Sequence, residues 1–465
     1  MATALFVYCF MCVIFGGAGR EGFVAHSYLQ AVAALGVAVL VVTWPSDEPL
    51  NGLRIPIALL VACISLCLIQ LIPLPANIWQ QLPSRDIVSD GFRDLGLELP
   101  PLPLSLDPDA TLATIGYAFT PLFILLLSIR VGASVLVQIV PALICTLAVV
   151  SFVLGISQLL SDQDLYLYAF TSRDLPVGFF SNINHQASLL LMTIPFAFYL
   201  CIKLTSRART NDRRGAFFIL SALLVAGLVV GVLIAQSIAG YVMLLPITLL
   251  SAFAFQKSNI KPKLAVSSLI GLTSLLAFLM SGVSSVTLDG ADIAFAQSEV
   301  SRYSIWRMTV EAISEHWLLG AGVGTYESVI PLYENPNAVG GTWIARAHND
   351  YLQVLMEAGL PGAVMIVLAL YWFATASLRA WRRGASRGFP QFRRVATVAL
   401  VVWAMHSLVD YPGRTIALTA VISLCVAALG VTGTVKAAKV PQESNRRPQN
   451  PKRFVLPPIS QSALN

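Results

Sequence analysis

Long uncharged stretches alternate with short polar breaks along the chain. Residues 28–43, 55–73, 134–160, 216–235, 237–256, 264–283, 360–378, 395–409 and 415–435 are each apolar or nearly so. Segments near 2–18, 111–129 and 184–202 complete a set of about twelve. A hydrocarbon core about 30 Å thick takes about 20 residues of α-helix to cross, which matches these lengths. Helices of that length in a soluble core keep a polar face, and these segments have none. The predicted class is an all-α integral membrane protein with about twelve transmembrane helices. Its polytopic membrane domain covers 1–435, and a basic, proline-containing tail over 436–465 has the composition of disordered sequence. The first segment lacks a basic leading region and runs through Gly16-Gly17-Ala18-Gly19 into a second span. It therefore reads as the first helix of the bundle and not as a signal peptide.

Composition sharpens this picture. Of 465 residues, 56% are hydrophobic and 12% charged, about half the charge of an ordinary soluble domain. All seven cysteines lie in apolar segments, as small hydrophobes do, and suggest neither a disulfide framework nor a metal site. With the N-terminus placed inside, the loops assigned to the cytoplasm hold 22 of the 30 basic residues and only four acids. That asymmetry obeys the positive-inside rule and predicts both termini in the cytoplasm. The basic balance marks topology, so nucleic acid is not an expected partner.

The opposite face is acidic and contains no lysine. Its eight basic residues are all arginines: Arg20, Arg85, Arg93, Arg173, Arg302, Arg307, Arg346 and Arg414. A guanidinium presents a planar fork that binds phosphate or carboxylate bidentately, which an ammonium does less specifically. Pairing with the abundant outer acids is the alternative for any one of them.

Two loops on this face are long. The first, about 74–110, is acidic and proline-rich, with a short amphipathic stretch around Ile78-Trp79, and reads as a cover. The second, about 284–359, carries its own helical pattern: a helix from Ser298-Glu299 to about His316, then the glycine run Gly320-Ala321-Gly322-Val323-Gly324. A second short helix is expected from near Ala345 to a break at Gly359-Leu360-Pro361-Gly362, where the tenth span begins. Within it, Arg346, His348, Asn349 and Asp350 put a histidine, a carboxylate and a guanidinium at a membrane surface. Such a group can make a general base, an orienting acid and an anion ligand. A packing role for His348 is the plainer alternative.

Three stretches carry a family resemblance. They are Ser301-Arg302-Tyr303-Ser304-Ile305-Trp306; Glu315-His316-Trp317-Leu318-Leu319-Gly320 with its glycine run to Tyr326; and His348-Asn349 with nine residues before Gly359. Together they resemble the O-antigen ligase and polymerase family of bacterial membrane enzymes, whose ligases carry His followed by Asn, Ser or Gln, nine residues, then Gly. The likeness runs from about Gly178, in Gly178-Phe179-Phe180-Ser181-Asn182-Ile183-Asn184, to Asp410-Tyr411-Pro412-Gly413-Arg414. The resemblance implies a C-type glycosyltransferase-like core in the bacterial inner membrane with its active face periplasmic. It implies metal-independent, inverting transfer of a glycan from undecaprenyl pyrophosphate to an acceptor hydroxyl, with no cofactor. The expected partners are the undecaprenyl-pyrophosphate-linked glycan, an acceptor glycan or lipid A-core, and membrane lipids. His348 would be the catalytic base and Arg302 the carried-over pyrophosphate ligand. Arg346, Asn349, Asp350, Arg414 and Arg173 are further substrate-binding candidates. Where many members open the eighth span with Ser-Arg-Gly, this chain reads Gln236-Ser237-Ile238-Ala239-Gly240, so the arginine is absent.

Within the family a polymerase of O-antigen or exopolysaccharide is the alternative to a ligase. From another class, a lipid-linked glycan transporter would need ionisable residues or broken helices near mid-membrane. Here the charges gather at the outer boundary.

Overall fold

The computed structural model describes residues 1–19, 24–45, 50–161, 163–255, 291–335, 343–382 and 389–431, with side chains at all of these except 51, 291–301 and 389. The fold over Met1–Thr432 forms one unit. The predicted ninth span at 264–283 and the tail at 436–465 lie outside the described residues.

The helices in chain order are α1 (Ala2–Phe15), α2 (Val24–Val42), α3 (Arg54–Gln70), α4 (Ala76–Trp79), α5 (Asp86–Asp94), α6 (Pro108–Val131), α7 (Ala133–Leu160), α8 (Ile183–Arg207), α9 (Asn211–Ile234), α10 (Ile238–Phe253), α11 (Ala291–His316), α12 (Tyr326–Val329), α13 (Asp350–Trp381), α14 (Phe389–His406) and α15 (Ile416–Gly430). Eleven of the twelve apolar segments read from the sequence coincide with helices in this list. Among the described residues, six of the helices are long and apolar enough to cross a membrane, namely α2, α6, α7, α8, α9 and α13. Shorter apolar helices are α1, α3, α10 and α15. A two-residue antiparallel ribbon, Pro73–Leu74 against Leu102–Pro103, closes the first long loop.

The bundle is organised around α15, which buries thirteen of its 15 residues. By contrast α9 buries only Ser221, Leu228, Gly231 and Val232, and turns its leucines and valines outward as a lipid-facing helix does. Glycines let backbones meet at one end of the bundle. There Ala417 N donates to Gly16 O across 2.9 Å, joining the C-terminal end of α1 to the N-terminal end of α15. At the other end basic side chains reach the last carbonyls of helices, as the helix dipole favours. Arg393 Nε donates to Leu429 O (2.9 Å) and Arg394 Nε to Ala380 O (3.1 Å).

The described parts of both long loops fold against the Gly16 end. In the first, Trp79 is fully buried and donates to Pro100 O at 2.9 Å. The buried Arg85 guanidinium donates to the carbonyls of Pro103, Leu104 and Ser105. One arginine thus satisfies three successive carbonyls where the proline-rich segment leaves its short ribbon. Gln70, at the end of α3, clamps the glycine run. Its Oε1 accepts from Val323 N (2.9 Å) and its Nε2 donates to Leu319 O (3.1 Å) and Glu357 O (3.3 Å).

Two boundaries differ from the sequence reading. Helix α11 starts at Ala291, earlier than Ser298. The helix expected from near Ala345 starts instead at Asp350. His348 has φ +49° and Asn349 is extended, which no helix accommodates. The break at Gly359 is where expected: its φ of 55° and ψ of −140° interrupt α13, and Leu360 N donates to Leu318 O at 3.3 Å.

Candidate functional site

Asn349 starts the site. Its side-chain Oδ1 accepts from Tyr351 N and Leu352 N at 3.0 Å each, capping α13. Its Nδ2 donates to Leu408 O at 2.9 Å, tying the cap to the loop after α14. Asp350 repeats the tie, with Oδ2 accepting from Ser407 Oγ (2.8 Å) and Gly413 N (3.1 Å). These contacts bring the segment 346–350 against 407–414, two stretches that sequence alone leaves unrelated.

The result is a histidine beside a carboxylate. His348 Nδ1 lies 3.4 Å from Asp410 Oδ1, an ion-pair distance without hydrogen-bond alignment. The His348 side chain is 30% exposed, whereas Asp410 is 1% exposed. Asp410 is held from behind: Asn184 Nδ2 donates to its Oδ2 at 2.6 Å, and Tyr411 N donates to its Oδ1 at 2.8 Å. Ser237 Oγ donates to Asn184 Oδ1 at 2.8 Å and itself accepts from Gly240 N at 3.1 Å. Burial alone would push the Asp410 carboxyl up. The adjacent His348, then the nearby His185 and His406, outweigh it and hold Asp410 well below the usual carboxylate range.

Aromatic and imidazole rings wall this pair. Tyr411 meets His348 edge-on with centroids 5.0 Å apart, and meets His185 the same way at 4.9 Å. Burial, then the Asp410 charge, pushes the Tyr411 hydroxyl up to about 12, so it stays neutral. His406 shares a 2.6 Å hydrogen bond with Ser188 through Nδ1. Neither ring nitrogen of His185 has a hydrogen-bond partner among the described residues, although the side chain is fully buried. Gly19 approaches Tyr411 so closely that a Cβ there would sit 2.7 Å from the ring.

The arginines divide by what they already hold. Arg302, on α11, is partly buried and makes no hydrogen bond or ion pair among the described residues. Its charge bears on Tyr411, one of the rings that wall the His348–Asp410 pair. Arg346 is buried and donates through Nε to Gly19 O at 3.1 Å. Arg414 donates through both terminal nitrogens to Glu357 Oε2, at 3.1 Å each, and its Nε lies 3.6 Å from Asp350 Oδ1. Arg173 pairs with Asp164 at 3.0 Å on the surface. No hydrogen bond or ion pair among the described residues joins Arg173 to the His348 cluster.

Beside this centre an apolar cleft of about 500 Å³ runs between α3, α6, α13, α14 and α15. Leu60, Pro121 and Ile422 line its body, and Arg346, Asp350 and Arg414 stand at its polar end.

Sequence reasoning singled out His348, Arg302 and the residues flanking His348, and did not single out Asp410, Asn184 or Ser237. The usable signals were the quoted stretches around Asn184 and Asp410, whose spacing says nothing of their meeting at one point.

A bundle of apolar helices that carries a His–Asp centre at one end, next to an apolar cleft, defines an all-helical membrane protein with a polar site at the end of its bundle. Residues 183–367 match the family described as O-Antigen ligase, and this part of the chain is similar to that family. The match covers α8 to the first half of α13, and so contains Asn184, Ser237, Arg302 and His348 but stops before Asp410. No curated protein matches the chain.

Proposed function

We propose that the protein transfers an oligo- or polysaccharide from undecaprenyl pyrophosphate to an acceptor hydroxyl at the periplasmic face of the bacterial inner membrane, as a ligase. The observation that carries this reading is the His348–Asp410 pair at the end of the bundle, supported by Arg302, an arginine that has no partner among the described residues.

Asp410 beside Nδ1 favours the imidazole tautomer with its proton there, and Nε2 is then the basic nitrogen. Its lone pair takes the proton of the acceptor hydroxyl as that oxygen bonds to the anomeric carbon of the donor sugar. The bond from that carbon to the pyrophosphate oxygen breaks, and the lipid pyrophosphate leaves with the electron pair. Attack from the face opposite the leaving group inverts the anomeric configuration. Arg302 meets the charge that builds on the leaving pyrophosphate, in a site screened from water by the buried rings. The charge is carried by protein cations, so this reading assigns the step no metal. The cleft between α3 and α15 suits the polyprenyl chain, because its body is apolar and two residues of its lining, Arg346 and Asp350, lie two positions either side of His348 in sequence.

The test is transfer in vitro by purified protein from a lipid-pyrophosphate-linked glycan. A His348→Ala protein that inserts normally and transfers at the wild-type rate would overturn the reading. Surface glycans of a deletion strain separate the alternatives. Intact polymer without capped lipopolysaccharide means a ligase, single-repeat products mean a polymerase, and unchanged glycans with a transport defect mean a transporter.

A further inference from the structure

Glu357 is a buried acid that neither the His348 chemistry nor any sequence motif uses. It lies one residue before the helix break and is 1% exposed. Every polar atom it has beyond its own N–H is engaged. Oε2 accepts both terminal nitrogens of Arg414, and Oε1 accepts from Gln353 Nε2 at 2.8 Å. Its backbone carbonyl accepts from Gly322 N (3.0 Å) and from Gln70 Nε2 (3.3 Å).

These bonds lead to both halves of the catalytic pair. From Oε1 the path runs through Gln353, whose Oε1 accepts from Ala347 N at 3.3 Å, to the residue next to His348. From Oε2 it runs through Arg414, which follows Asp410 within one short loop, and on to Asp350. His348 sits at φ +49°, a conformation that costs about 1–3 kcal/mol for a non-glycine residue and persists only when its surroundings hold it. The Glu357 network supplies that hold from one side, and Asn349 and Asp350 supply it from the other.

The same contacts decide what Arg414 can do. Glu357 and Asp350 place two carboxylates against its one guanidinium, at distances of 3.1 and 3.6 Å. Its fork is filled, unlike that of Arg302, and a buried guanidinium taken from such a pair leaves an uncompensated carboxylate behind.

We infer that Glu357 is a positioning residue. It binds Arg414 and Gln353 so that the 346–350 segment is registered against 410–414, and Arg414 is its structural partner in this and no ligand of the donor pyrophosphate. The kinetic arm of the test rests on the transfer reaction proposed above, whereas the exchange arm does not.

Glu357→Ala invites misfolding, so the test uses the near-isosteric Glu357→Gln and Arg414→Gln and their double variant, each purified as the full chain. Positioning predicts that both single variants lower kcat about tenfold and leave the donor KM within twofold of wild type. It also predicts that the double variant is no worse than either single, because one interaction is lost once. Glu357→Asp, which keeps the charge, falls between wild type and Glu357→Gln. If Arg414 binds donor instead, Arg414→Gln raises the donor KM tenfold while Glu357→Gln, which frees the guanidinium, lowers it. That outcome overturns the inference. Amide hydrogen exchange in the absence of substrate gives the second readout. Exchange at 346–350 and 410–414 accelerates in Glu357→Gln and stays at the wild-type rate in His348→Ala. Wild-type exchange at these segments in Glu357→Gln overturns the inference whether or not the protein transfers glycan. A wild-type protein that transfers nothing refutes the function reading alone, and the exchange result still decides the role of Glu357.

Discussion

His348 and Asp410 come from different connections of the bundle, and their side chains approach to 3.4 Å with the carboxylate buried and the imidazole reachable. Asymmetry of this kind is what a general base needs: one face of the ring oriented by a fixed charge, the other open to substrate. Asn184 and Ser237 fix the carboxylate in turn, so three separate helix ends contribute to one His–Asp pair.

Asp410→Asn is expected to lower kcat for glycan transfer by about 10²-fold, at the lower end of what general-base catalysis supplies. The amide keeps the hydrogen-bonding shape but loses the charge that sets the imidazole tautomer. Steady-state kinetics with the purified variant, set beside His348→Ala, measures this; an unchanged kcat would exclude Asp410 from the step.

The same carboxylate carries a pH signature. Its folded value is held below the usual carboxylate range, so its stabilising contribution is fully present above the unfolded value of about 3.9 and is lost only as pH falls further. The Tm difference between wild type and Asp410→Asn should therefore be flat from about pH 8 to 5 and shrink below about pH 4. A difference that already shrinks between pH 7 and 5 contradicts the charged, buried carboxylate.

Arg302→Gln should raise the donor KM by about tenfold or more, the scale of one charge-assisted hydrogen bond of ~1.5–3 kcal/mol. Its Tm should match wild type, because Arg302 has no partner among the described residues to lose. Arg302→Lys should recover part of the affinity, keeping the charge without the fork. Kinetics over donor concentration and thermal unfolding in detergent check both halves.

Asn349→Ala removes the cap of α13 and should cost about 1 kcal/mol of stability. Asn349→Ser should retain most of it. The resemblance motif tolerates Asn or Ser after the histidine, and both are strong N-caps. Thermal unfolding of the three proteins orders them wild type, Ser, Ala.

Gly359→Ala should be more damaging, at about 1–3 kcal/mol from the left-handed backbone alone. A methyl there also meets Gly320 N at 2.6 Å, and that neighbour is backbone held by its own bond to His316 O. Folded yield in membranes and Tm report the loss.

What the sequence settled by itself concerns solvent and local backbone. Uninterrupted apolar runs near 20 residues leave no soluble alternative, since hydrophobicity sums along the chain regardless of which helix meets which. The break at Gly359 was legible because glycine and proline act on their own φ and hydrogen bonds. The start of α13 was not legible: Ala345 through His348 are unremarkable helix formers, and only the contacts of Asn349 with Leu408 and of Asp350 with Gly413 hold them out of a helix. The site follows the same rule. His348 and Arg302 stood out through a resemblance in adjoining residues, whereas Asp410, Asn184 and Ser237 acquire their meaning from packing between α8, α10 and the loop after α14. Likewise an arginine on the outer face reads as a free cation in any sequence. Only the fold decides that Arg414 is bound by Glu357 while Arg302 has no described partner, because ion pairing is set by distances between residues remote in the chain.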